Sequence, residues 1–277
     1  MNTRATLGGA AAIALAVAAG GIWWAQGYGN PAEAAGLEPD LPVPPIPPRI
    51  AEGEDYERCL QMLNTDLPGA RSFADAWEAT GGGDGATHCR ALAEIALGRP
   101  DTGAELMERM AGSSRAQAAA RASIYGQAGQ AWLMAGQSDR AYGSATLALS
   151  LTPRDTDLLV DRSIASASLE RYHDAIDDLN NALDLDPRRT DALVFRGAAW
   201  RHLNQLELAQ DDMDRAFAQD PDQPDALLER GILRQRRGDW NGAREDWERA
   251  ILLSPDTPTG DLAQQNLALL EASPDRH

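Results

Sequence analysis

The sequence predicts an all-α fold, a solenoid of helix-turn-helix units closed by a C-terminal cap helix. Three observations lead there. Pro153, Pro187, Pro221 and Pro255 recur at one constant spacing. Alanines keep fixed distances ahead of each proline: Ala141, Ala175, Ala209 and Ala243 twelve residues before it, Ala148, Ala182, Ala216 and Ala250 five before it. The composition is 43% apolar but only 5% aromatic, with three Phe, so alanine supplies much of the apolar surface. Small side chains suit closely packed helices better than a sheet-built core, and a fixed period of this length is the signature of stacked supersecondary units.

In chain order, the first element is an uncharged stretch from Ala5 to Ala32, preceded by Arg4. Its most apolar part, Ala5 to Ala25, is long enough for one tilted membrane-spanning helix. Two readings stay open. A cleaved secretory signal has sites at Ala25-Gln26-Gly27 and Ala32-Glu33-Ala34, because small residues flank such cleavage points. An uncleaved anchor is favoured by Trp23-Trp24, an aromatic pair at the exit from the bilayer. Either one exports the rest of the chain to the periplasm.

Six prolines within residues 39–48 then forbid helix and favour extended polyproline II. This segment is a stalk, with a PxxP ligand as the alternative. Cys59 and Cys89 are the only cysteines. In an exported chain an even count suggests a disulfide; two free core thiols are the other reading. His88 adjoins Cys89, but no spacing completes a tetrahedral metal shell, so no metal and no cofactor is expected.

Helical patterning is weak at first. Tyr56 to Leu63 with Pro68 to Ala79, and Cys89 to Leu97 with Ala104 to Met110, read as two degenerate helix pairs. Gly81-Gly82-Gly83-Asp84-Gly85 is expected to be the loop between them. From residue 122 the pattern is strong. Each unit has a first helix (A) and a second (B). Gly129, Gly197 and Gly231, with Ser163 in the remaining unit, fall mid-helix A, where only a small residue lets helix B approach. The first alanine opens helix B at that contact, the second packs it on the next helix A, and the proline stops it. Leu179, Met213 and Trp247 share one slot of helix B. Leu262 to Glu271 reads as a cap, which an exposed solenoid end needs. The expected organisation is 1–27 signal or anchor, 28–52 linker, 53–121 degenerate pairs, 122–255 four repeats, and 256–277 cap and tail.

These prolines, alanines and glycines, and the period they share, resemble the tetratricopeptide repeat (TPR). The resemblance implies a right-handed superhelix whose A helices form a concave, peptide-binding groove. Asp157, Asp191 and Asp225, near the starts of the A helices, would lie on it, with Ala198, Arg201, His202, Gln235 and Arg236 farther along. A carboxylate row there suits a basic partner segment; its plainer role is to favour the helix N-termini. The TPR groove that clamps chaperone carboxylates uses Lys, and this chain has none.

Arg162, Arg196 and Arg230 recur with the same period, and Asp178, Asp212 and Asp246 follow them at one constant offset. The first strong unit carries Ala128 and Ser144 instead. The pairs read as ion pairs between helices A and B; an arginine row facing a ligand carboxylate is the alternative. Trp132 and Trp200 fill the aromatic slot of helix A as core residues, while Trp240 falls in a turn and is less easily explained, an exposed contact being the alternative to burial. His173, His202 and His277 are scattered, and no catalytic triad has recognisable members. No enzyme activity is expected.

The formal net charge of −17 excludes a nucleic-acid binder, which needs a basic face. The function expected is a protein-interaction scaffold or adaptor of the bacterial cell envelope, or else a structural subunit of an envelope complex or homo-oligomer with constitutively packed repeats.

Overall fold

The computed structural model describes residues 49–272. The expected signal or anchor and most of the Pro-rich linker lie outside them. Among the described residues there are thirteen helices and no strand, and no helix is long and apolar enough to cross a membrane. The residues form two compact units, 49–153 and 154–272.

The first unit holds α1 (Glu54–Thr65), α2 (Leu67–Ala79), α3 (Gly83–Ala96), α4 (Pro100–Ser113), α5 (Ala118–Met134) and α6 (Ser138–Leu151). The second holds α7 (Thr156–Ser168), α8 (Tyr172–Leu185), α9 (Thr190–His202), α10 (Leu206–Gln219), α11 (Pro224–Arg236), α12 (Trp240–Leu253) and α13 (Pro258–Glu271). The division at 153/154 falls inside the run expected as four repeats rather than at its start. The first strong repeat, α5 and α6, sits in one compact unit with the degenerate pairs.

Three expectations are corrected. Helix α3 starts at Gly83, so Gly83, Asp84 and Gly85 form its first turn rather than a loop. Gly85 belongs there because a Cβ would meet the Trp77 ring and Ala51. Trp240 opens α12 and packs, half-buried, on the core of Leu227, Leu228, Ala243 and Trp247. The cap helix begins at Pro258, because Thr257 accepts a hydrogen bond from the Gly260 N–H and Pro is suited to the first helical turn.

The repeat slots hold their expected places. Each B helix ends two residues before its proline. Ala141, Ala175, Ala209, Ala243 and the four alanines seven residues later are all buried. A Cβ on Gly129 would lie 3.4 Å from the Ala141 carbonyl oxygen, and one on Gly197 3.2 Å from that of Ala209. The approach at Gly197, and the overlap a Cβ on Gly231 would make with the Trp247 ring, keep those two slots small, whereas the contacts at Gly129 are ordinary ones. Leu179, Met213 and Trp247 are fully buried in their common slot; burial of a side chain of this size contributes about 1.5–3 kcal/mol.

The same period also lies in the backbone. Gly136, Glu170, Asn204 and Gly238, one in each repeat, all have left-handed φ, at 71°, 60°, 58° and 83°. Each ends helix A with the same pair of bonds: Glu170 N–H to the Ala167 carbonyl at 3.0 Å and Arg171 N–H to that of Ser166 at 2.9 Å, for example. This is the Schellman arrangement, which glycine fits without steric cost. It sets the angle at which helix B turns back.

Arg162 donates to Asp178 at 2.8 and 2.6 Å, Arg196 to Asp212 at 2.9 and 2.6 Å, and Arg230 to Asp246 at 2.9 and 2.6 Å. All three aspartates are buried. Each pair therefore joins helix A to helix B of one repeat. The arginines also reach the preceding B helix: Arg196 donates to Asn180 at 2.7 Å, and Arg230 lies 3.6 Å over the centre of the Phe217 ring. The repeat that lacks the pair satisfies itself differently. Glu108 of α4 accepts from Trp132 Nε1 at 2.9 Å, from Arg140 at 3.1 Å and from Ser144 Oγ.

Helix α1 buries only Tyr56 and Cys59. Cys59 forms a disulfide with Cys89 of α3, with Cα atoms 6.2 Å apart. Closing a loop of this size contributes roughly 3–4 kcal/mol through the unfolded state.

Candidate partner-binding groove

In the second unit the A helices α7, α9 and α11 and the cap α13 lie side by side. They line an open groove whose cavity volume is about 60 Å³, too small to enclose a drug-sized ligand, so a bound segment would lie along its surface. Its walls are mostly apolar: Ile164 and Ala167 of α7, Val194, Phe195 and Ala198 of α9, Leu228 of α11 and Leu262 of α13, with Ala175 and Leu179 of α8 beneath. Asp225, Glu229 and Thr259 supply the polar atoms of one wall. The same slots recur from helix to helix. Val194, Leu228 and Leu262 stand one repeat period apart, as do Ile164 and Ala198, and Asp225 and Thr259.

Of the residues expected on this surface, Ala198 and Asp225 line the groove. Asp157 and Asp191 do not, and they do not act as free carboxylates. Arg189 bridges them, donating to Asp157 at 2.6 Å and to Asp191 at 2.8 Å, and also to Thr156 Oγ1 at 2.9 Å. Burial works against the Arg189 charge, but the two aspartates outweigh it and push its pKa up. Asp157 remains 70% exposed and Asp191 40%. The groove is therefore apolar with one carboxylate rim, rather than acidic along its length.

Asp225 is held by neutral donors. Gln223 Nε2 donates to it at 3.1 Å and Thr259 Oγ1 at 2.5 Å. Glu229 is neutralised: Arg201, itself buried, donates Nε at 2.7 Å and Nη2 at 3.2 Å to its two oxygens. Arg201 thus supports the groove wall from behind and is not an exposed groove cation. His202 stacks on Tyr172, ring centres 4.6 Å apart and 11° between planes. Burial, then Arg201 and Arg236, push its pKa down to about 4, with Glu229 opposing. Gln235 is half-buried and Arg236 exposed. Trp132 is fully buried as expected of the core, whereas Trp200 is half-buried.

A buried histidine lies in the first unit. His88 joins three helices: Tyr56 Oη of α1 is 2.6 Å from its Nδ1, and Gln127 Oε1 of α5 is 2.8 Å from its Nε2. The proton on Nε2 faces the amide oxygen, and Nδ1 accepts from the phenol. Burial lowers the His88 pKa, and burial, with Glu57 adding and Arg49 opposing, pushes Tyr56 up to about 12. Among the described residues no group of three or more His, Cys, Asp or Glu can hold a metal ion.

Among the groove residues that sequence reasoning missed are Ile164, Val194, Phe195, Leu228, Glu229 and Thr259. The apolar series through Val194, Leu228 and Leu262, in step with the repeat, was the available signal.

No protein-family model matches the sequence, and no curated protein matches it. Solved structures do. A chain of the APC/C hetero-tetramer Cut9–Hcn1 aligns with TM-score 0.57 at 16% identity over 77% of this chain. The match covers 42% of that chain, so this one spans less than half its length. A thermophilic TPR protein of Thermus thermophilus aligns with TM-score 0.56 at 19% identity, over 68% of this chain and 100% of that one. This chain has a TPR-like fold. The pilF protein of Pseudomonas aeruginosa has it too, with TM-score 0.57 at 14% identity, over 76% of this chain and 96% of that one. At these identities the likeness of the TPR-like chain to its neighbours is one of fold.

Proposed function

We propose that the protein is an interaction scaffold or adaptor that holds a segment of a partner protein in the groove of residues 154–272. The observation that carries this is the groove itself. It is an apolar channel built from the same slots of successive A helices, so an extended chain crossing it meets equivalent positions at a regular interval. Affinity comes from a few apolar anchors seated among Ile164, Phe195 and Leu228, with charge governing orientation and encounter rate. The acidity of this part of the chain, 25 Asp and Glu against 14 Arg, favours a basic partner. The uncharged N-terminal stretch supports a place in the bacterial envelope, on a Pro-rich stalk, either anchored or released after cleavage. The groove's role is binding rather than catalysis, because its polar groups are a carboxylate held by neutral donors and an internal ion pair.

Site-specific photocrosslinking tests this. A photoreactive residue at Ile164 or Phe195 is expected to trap one partner from native envelopes, and the same residue at Leu252, which is 80% exposed on α12, is not. Equal trapping at all three positions, or trapping at Leu252 alone, places the binding surface elsewhere.

A further inference from the structure

We infer that the groove selects a segment that pairs an apolar side chain with one cationic side chain, Arg or Lys, and that Asp225 alone reads the cation. The inference rests on the groove being the partner site and names what it accepts. Two slots at the starts of the A helices decide it. In one, Asp157, Asp191, Asp225 and Thr259 follow each other at the repeat spacing. In the other, two residues earlier, stand Asp155, Arg189, Gln223 and Thr257.

Arg189 occupies the second slot between two aspartates and pairs with both. Gln223 takes the same slot one repeat later. It holds Asp225 by a hydrogen bond but brings no charge. Thr259, where a fourth aspartate would stand, likewise donates without charge. A carboxylate offers about four acceptor positions, and these donors take one on each oxygen. Asp225 is thus oriented and borders an apolar wall, and its side-chain partners, Gln223 and Thr259, are both neutral. Glu229, the other groove carboxylate, is already cancelled by Arg201. A guanidinium or ammonium on the bound segment meets an unbalanced charge at Asp225. An anion there is repelled, and a neutral side chain leaves the charge partly desolvated.

The test uses the full chain in mild detergent and an array of synthetic ten-residue peptides. Each carries a Leu-Phe pair and one variable position, Arg, Gln or Glu, placed at each spacing from the pair. Arg peptides are expected to bind about tenfold more tightly than their Gln counterparts at one spacing, with Glu weakest. Asp225→Asn removes the difference, Asp225→Arg moves the preference to Glu, and Asp157→Asn, at a carboxylate already paired with Arg189, changes nothing. Circular dichroism checks that each variant folds. Ala198→Trp, which fills the groove, is expected to abolish binding of every peptide. Equal binding of Arg and Gln peptides, lost on Ala198→Trp, overturns the role of Asp225 and leaves the groove standing. Absence of binding by every peptide, or binding that Ala198→Trp does not touch, overturns the groove reading and this inference with it.

Discussion

Arg196 of α9 grips Asp212 of α10 with two parallel hydrogen bonds, at 2.9 and 2.6 Å, and the carboxylate is buried. Removing one partner leaves the other poorly compensated, Asp212 with only Arg215 at 3.5 Å and Arg196 with the neutral Asn180, and breaking such a buried pair costs up to about 3–5 kcal/mol. Arg196→Met and Asp212→Leu are each expected to destabilise the second unit by that amount, and the double variant by far less than their sum. Urea denaturation of the four proteins gives the coupling. Strict additivity would show that the two side chains do not depend on each other.

The three mid-helix glycines differ in what faces them, so a Gly→Ala series should be graded. At Gly129 a Cβ meets only ordinary contacts, the nearest at 3.4 Å, and the helix gains up to about 1 kcal/mol from alanine. At Gly197 it crowds the flexible end of Met213 and the Ala209 carbonyl. At Gly231 it overlaps the ring of Trp247, which is fully buried and has nowhere to go. The last substitution is expected to cost about 1–3 kcal/mol. Thermal unfolding of the series should rank them Gly129, Gly197, Gly231, from mildest to worst.

Glu170 stands in a left-handed turn, φ 60°, where two of the equivalent positions are glycine. A side chain in that conformation costs roughly 1 kcal/mol. Glu170→Gly should therefore stabilise the α7–α8 pair by about that amount, and Gly238→Ala should destabilise α11–α12 similarly. Hydrogen exchange of the adjoining helices reads both changes.

His88 and His202 predict an acid limb. Both have folded pKa values below the usual 6.5, so the unfolded chain binds more protons as pH falls. Their contribution to stability is present above about pH 6.5 and is lost on descending through the window below it, for His202 toward about 4. Between about pH 6.5 and 5, before carboxylates titrate, His202→Gln should flatten the pH dependence of the second unit and His88→Gln that of the first. Exchange-detected melting as a function of pH separates them. An unchanged slope in both variants would mean that other groups set it.

The repeat was legible because its prolines, alanines and glycines meet steric demands that few residue types satisfy. The left-handed turn recurs just as strictly but was hidden, since Gly136, Glu170, Asn204 and Gly238 share a backbone conformation and no chemistry. The groove was half legible. Ala198 and Asp225 were found from their slots. Yet the pairing of Asp157 and Asp191 through Arg189 depends on where a side chain two residues away reaches, and spacing alone does not record that. Arg201 failed for the same reason: its charge is spent on Glu229, 28 residues on.

The Glu108 network has a consequence for modularity. Trp132 and Ser144 take their shared acceptor from the helix pair before their own, whereas the later repeats carry both halves of their Arg–Asp pair within one unit. The α5–α6 module is thus addressed to a specific predecessor. Transplanted behind α12, or expressed without α4, it would bring an indole N–H and a hydroxyl with nothing to receive them, while the α9–α10 module could be duplicated or moved with its central pair intact. Moving the α9–α10 module would still part Arg201 from Glu229 and Arg189 from Asp157, so the two modules differ in whether the central pair travels with them, not in being free of their neighbours.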